Sequence, residues 1–78
     1  MKILVDELEK GKVWGIFFVG TDEEMLQYPV WVEEQDIESF IVPIGAYQGT
    51  DHHDNIISYR AAITKEKSVA SIIKLTWA

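Results

Sequence analysis

The chain has 78 residues, no cysteine, and 13 acidic against 7 basic side chains, for a formal net charge of −6. A chain of this length buries only about 60 to 65 % of the surface its unfolded form exposes, so a single globular domain over residues 1–78 is expected and two separate lobes are excluded. Without cysteine there is no disulfide framework, thiolate zinc site, iron–sulfur cluster or cysteine nucleophile, while a hydrophobic share of 47 % is that of a chain that folds.

Ile3, Leu4, Val5 and Leu8 recur near helical spacing, with Asp6, Glu7 and Glu9 on the other side and Gly11 as a C-cap. This predicts a short helix over about 3–10; the alternative is a hairpin in which Ile3 to Leu8 pairs with the next strand through Glu9 to Lys12. Val13 to Val19 is apolar on both faces and rich in β-branched and aromatic residues, as a central strand covered on both sides would be. Gly20 breaks it, and Thr21 with Glu24 forms a capping box that opens a helical turn through Gln27, which Pro29 then stops.

Tyr28 to Glu34 reads as a second strand, with Val30 and Val32 on one face and Trp31 on the other. Pro43 disfavours a helix over the following apolar residues, so a turn at Asp36 to Ser39 and a strand from Phe40 to Tyr47 are expected. Gln48 to Asn55 is a polar loop. Ile56 to Ile63 then places Ile57, Tyr59, Ala61 and Ile63 on one face and Ser58 and Arg60 on the other, and Val69 to Trp77 alternates in a similar way, so the two read as a hairpin closed by Thr64 to Ser68. The expected class is α+β: a short N-terminal helix packed on a curled, mainly antiparallel sheet of about five strands, with a small open barrel as its closed variant.

Charge is unevenly placed. From Val13 to Tyr59 there is no Lys or Arg, while nine acids occur in those 47 residues; residues 60–78 carry four basic side chains against one acidic. Such a field favours encounter with a basic protein surface and repels nucleic acid and anionic membranes. The longest apolar runs fall well short of the roughly 20 residues that cross a bilayer, and Asp6, Glu7 and Glu9 precede any run of signal-peptide length. With no cysteine, these features lead to the expectation of a cytoplasmic protein, or one in the host cytoplasm if the chain is viral.

Four features carry what chemistry there is. Trp31, preceded by Tyr28 and followed by Glu33, Glu34, Asp36 and Glu38, is the expected partner-binding group, an aromatic anchor ringed by carboxylates. Asp51, His52, His53 and Asp54 form the one cluster resembling a metal or acid–base site; adjacent histidines in extended backbone point apart, and two ligands from one loop fall short of the three or four zinc requires, so an Asx-type turn with surface histidines is the plainer reading. The acidic pairs lack the apolar cleft that glycosidase carboxylates need, and no cofactor motif occurs. Finally, both faces of Val13 to Val19 are apolar and one helix does not cover two faces, which leaves a patch for self-association as a homodimer or for a partner.

The function expected from these features is non-enzymatic: a small acidic regulator or stoichiometric inhibitor docking on a basic protein, in one version by mimicking nucleic-acid charge. The alternatives are a homo-oligomeric small-ligand-binding protein and a small metal-assisted hydrolase using the Asp51 to Asp54 loop.

Overall fold

The computed structural model describes residues 2–77. Its elements run β1 (Lys2–Glu9), β2 (Val13–Gly20), α1 (Asp22–Glu34), a 3-10 turn (Glu38–Phe40), β3 (Ile41–Thr50), β4 (Ile56–Thr64) and α2 (Lys67–Trp77). The four strands form one open antiparallel sheet in the order β1-β2-β4-β3. The class is the expected α+β, with four strands in place of five and the helices elsewhere in the chain.

Residues 2–9 form a strand and not the expected N-terminal helix. Ile3 and Val5 are buried while Leu4 and Asp6 are exposed, a period of two that the β-branched pair satisfies by packing opposite Phe18 and Ile16. Gly11, at φ +71°, turns the hairpin into β2 instead of capping a helix, with Lys12 N–H donating to the Glu9 carbonyl at 2.9 Å. β2 is the central apolar strand expected, but the helices cover one of its faces and not both.

The capping box is present: Thr21 Oγ1 accepts from Glu24 N–H, and the Glu24 carboxylate accepts from Thr21 N–H. The helix it opens continues through Pro29 to Glu34, which overturns the strand expected over 28–34. An interior proline costs about 3 kcal/mol. Met25, Tyr28, Trp31 and Val32 offset that cost, because at helical spacing all four pack on the core, whereas Val30 points to solvent. The helix ends in a Schellman motif: Asp36 is left-handed at φ +57°, its N–H donates to the Glu33 carbonyl, and Ile37 N–H reaches back to Val32.

α2 replaces the strand expected over 69–77. Val69, Ala70 and Ile73 are buried at helical spacing, and Leu75, which alternation groups with Val69, Ile73 and Trp77, is 87 % exposed. α2 lies over β1 and β2, and α1 lies nearer β4, both on one face of the sheet. The core between the layers comprises Ile3, Val5, Ile16, Phe18, Met25, Val69, Ala70 and Ile73. β4 presents the opposite side to this core from the one expected. Ser58 and Thr64 are buried under the helices, so Arg60 and Ala62 face that way too, and Ile57, Tyr59, Ala61 and Ile63 line the open side. Small side chains on the inner face let α1 approach the strand.

Candidate ligand groove

α1 covers β4 but stops short of the edge strand β3, and the uncovered strip is a groove of about 500 Å³. Phe18, Tyr28 and Val32 form its inner wall; Ile41, Pro43 and Ala46 of β3 form the outer one. The bulge between Pro43 and Gly45 inserts Ile44 at the rim. Pro43 sits where an edge strand tolerates a residue without an N–H.

Only two charged side chains line this groove, Arg60 and Glu38. Arg60 stands in the middle of an interior strand, with Phe18 opposite it on one side and Ala46 on the other. Among the described residues no carboxylate lies within 4 Å of its guanidinium; the ion pair present elsewhere is Lys12 with Glu9 at 3.6 Å. A guanidinium is planar, permanently charged and carries five donors in a fork that fits a carboxylate or phosphate. Here that fork is set against apolar walls formed by Phe18, Tyr28, Val32, Ile41 and Pro43. The lining includes no Ser, Cys, His or Lys among the described residues; its titratable side chains are Tyr28, Glu38 and Arg60.

Behind the inner wall is an aromatic cluster. Tyr28 meets Phe18 at 5.5 Å, Trp31 at 6.4 Å and Trp77 at 5.9 Å between ring centroids, and Trp31 meets Trp77 edge-on at 5.7 Å. These rings tie α1 to α2 and β2. Burial pushes the Tyr28 phenol up to about 12, and its hydroxyl, like Trp77 Nε1, is buried without a hydrogen-bond partner among the described residues.

The residues expected to bind a partner are thus divided. Tyr28 and Trp31 are half-buried within the cluster, and the opposition of Trp31 to Val30 and Val32 that suggested an anchor disappears once the segment is helical. Glu33 and Glu34 lie exposed in the last turn of α1, Asp36 caps it, and Glu38 borders the groove. Asp22 is held by Ser58, whose hydroxyl donates to it at 2.8 Å, and by Gln48 at 3.4 Å.

In the β3–β4 loop Asp51 accepts from the N–H groups of His53 at 2.8 Å and Asn55 at 3.0 Å, an Asx-type turn. The Asn55 and His53 hydrogen bonds hold its carboxyl below the usual carboxylate range. With Asp54 left-handed at φ +60°, the turn brings the His52 and His53 rings to 4.0 Å instead of pointing them apart. No group of three His, Asp or Glu placed to hold a metal ion occurs among the described residues, and no helix is long and apolar enough to cross a membrane.

Arg60 is the functional candidate that sequence reasoning passed over. Its signal was the interruption of an otherwise apolar strand by a single cation, but a lone arginine on an alternating strand reads equally well as the solvent face. Comparison of the chain with protein-family models, curated proteins and solved structures finds no match in any of the three.

Proposed function

We propose that this chain is a non-enzymatic binding protein whose groove between α1 and β3 takes a small ligand with an apolar body and a carboxylate or similar anion. The observation that carries this reading is Arg60, an arginine without an ion-pair partner among the described residues, in the lining of a groove of about 500 Å³ whose one other charged side chain is Glu38. That volume lies within the roughly 300 to 1,000 Å³ of ordinary ligand sites. The test is a titration with decanoate and decanol, followed by tryptophan emission, because Trp31 and Trp77 both contact Tyr28 of the groove wall. Decanoate should saturate, decanol should bind at least about tenfold more weakly, and Arg60→Gln should abolish the difference, in line with the 1.5 to 3 kcal/mol of a hydrogen bond to a charged group. Equal binding of the two probes, or none, would sink the proposal.

A second reading rests on the solvent side of α1. There Leu26, 71 % exposed, and Val30 lie among Glu23, Glu33 and Glu34, and the last turn of the helix carries no basic residue. The carboxylates of the first turn suit the helix dipole; Glu33 and Glu34 oppose it. A basic protein surface would supply the missing positive charge, which is the role of a small acidic regulator. On this reading partner affinity falls steeply with added salt, and affinity indifferent to ionic strength argues against it.

A further inference from the structure

We infer that the open face of the sheet is the contact surface between two copies of this chain. The register places Leu4, Phe17, Ala61 and Gly45 in one row across that face, Val19, Tyr59 and Tyr47 in a second, and Gly15, Ile63 and Val42 in a third. Leu8, extruded by the β1 bulge, folds over Gly15. Among the described residues of the sheet, charge reaches this side only along the margin strand β1, through Lys2, Asp6 and Glu9. An antiparallel sheet with one face in water should alternate apolar and polar residues. Here β4 turns Ile57, Tyr59, Ala61 and Ile63 outward and keeps Ser58, Arg60 and Thr64 on the helix side, so its more apolar side is the one the helices leave bare.

The chain also exposes more surface in total than a folded monomer of its mass. The chain exposes 5513 Å², whereas a folded monomer of 8.9 kDa exposes about 4,800 Å². The surplus of about 700 Å² approaches the roughly 800 Å² that each partner of a standard interface buries. A shallow hollow of about 410 Å³, bordered by Phe17, Val19, Tyr47 and Tyr59 with Arg60 also in its lining, gives large side chains of the opposite sheet somewhere to seat.

Charge selects the occupant. Seven of the nine acids of the 13–59 segment belong to α1 and the residues just after it, in the helix layer. Two copies meeting through their helices would bring those carboxylates together, while two sheets meeting face to face hold them on opposite outer sides. A basic partner, conversely, is drawn to the helix layer and gains little from a sheet face whose charges lie along its β1 margin. The pairing is therefore a two-fold contact of sheet on sheet, with the layers about 10 Å apart. It stands independently of the groove, which opens on the other face.

Sedimentation equilibrium of the full chain across the micromolar range tests this. The wild type should sediment at twice its monomer mass. Tyr47→Lys, at an exposed position of the edge strand, should raise the dimer dissociation constant at least about 30-fold by burying an unpaired charge, and Leu75→Lys on α2 should leave it unchanged. A wild-type monomer at every concentration overturns the proposal, as does a dimer indifferent to Tyr47→Lys, whose contact then lies elsewhere. Should circular dichroism show that the lysine variant unfolds, the wild-type melting temperature decides: a dimer melts higher as its concentration rises, and a concentration-independent Tm refutes the pairing.

Discussion

Phe18 and Arg60 stand directly opposite one another on β2 and β4, on the same face of the sheet, yet Phe18 is 3 % exposed and Arg60 is open to the groove. The boundary between core and groove runs between this pair. An arginine there adds nothing to the core that an apolar side chain would not, and it keeps the groove wall wet. Arg60→Leu should therefore raise stability by about 1 kcal/mol through added apolar burial, or roughly 4 to 8 °C in Tm for a domain this small, while removing any preference for decanoate. A lowered Tm would mean that Arg60 serves the fold through its stem.

Tyr28 carries the second stability argument. Its hydroxyl is buried without a partner among the described residues, and an unsatisfied buried polar group costs about 1 to 3 kcal/mol. Tyr28→Phe keeps the ring contacts with Phe18, Trp31 and Trp77 and deletes the orphan, so thermal denaturation at neutral pH should show a more stable protein. The phenol also predicts alkaline behaviour. Its pKa rises from 10.0 to about 12 on folding, so the native state holds the proton more tightly than the unfolded chain does. The contribution is whole below pH 10 and is lost as the pH climbs to 12. Tyr28→Phe should flatten the stability profile in that window, and an unchanged alkaline slope would show that the phenol does not set it.

Local signals were legible in the sequence where they close within a few residues. Thr21 and Glu24 satisfy each other's backbone donors inside a single turn, and the β-branched and aromatic run of β2 marks it as a strand on its own. Signals that depend on distant packing were not. Pro29 argues against a helix until the contacts of Tyr28 and Trp31 are counted, and those come from Phe18 on β2 and Trp77 on α2. Alternation in β4 separates two faces without saying which one the helices cover. Residues 69–77 fit a period of two nearly as well as a helical one, and the burial of Ala70 with the exposure of Leu75 divides them. The groove was invisible for a similar reason: it exists because α1 leaves β3 uncovered, a fact of tertiary placement that no spacing around Arg60 records.

Trp31 is expected to behave as a structural residue. It stacks at 25° to Tyr28 and meets Trp77 edge-on, joining the two helices. Trp31→Ala should cost about 3 kcal/mol, the lower end of the range for truncating a large aromatic because the ring is only half-buried, and lower Tm by more than roughly 10 °C. A variant with near wild-type Tm and lost partner affinity would restore the anchor role.

Asp36 offers the clearest chance of a stabilising change. It occupies the left-handed position of the Schellman motif at φ +57°, where a side chain carries a steric cost that glycine avoids. Its carboxylate also sits just beyond the negative end of the helix dipole, behind Glu33 and Glu34, with no basic residue in the turn to balance it. The N–H groups of Asp36 and Ile37 make the capping bonds to Glu33 and Val32, and both are backbone groups that a substitution at 36 preserves. Asp36→Gly should therefore add about 1 kcal/mol, the flexibility of glycine in the unfolded chain taking back part of the gain. Raising the salt concentration separates the two contributions, because the repulsion is screened and the backbone strain is not. An advantage over the wild type that persists at high salt assigns the gain to the left-handed conformation; a loss of stability at every salt concentration would mean that the Asp36 side chain supports the cap.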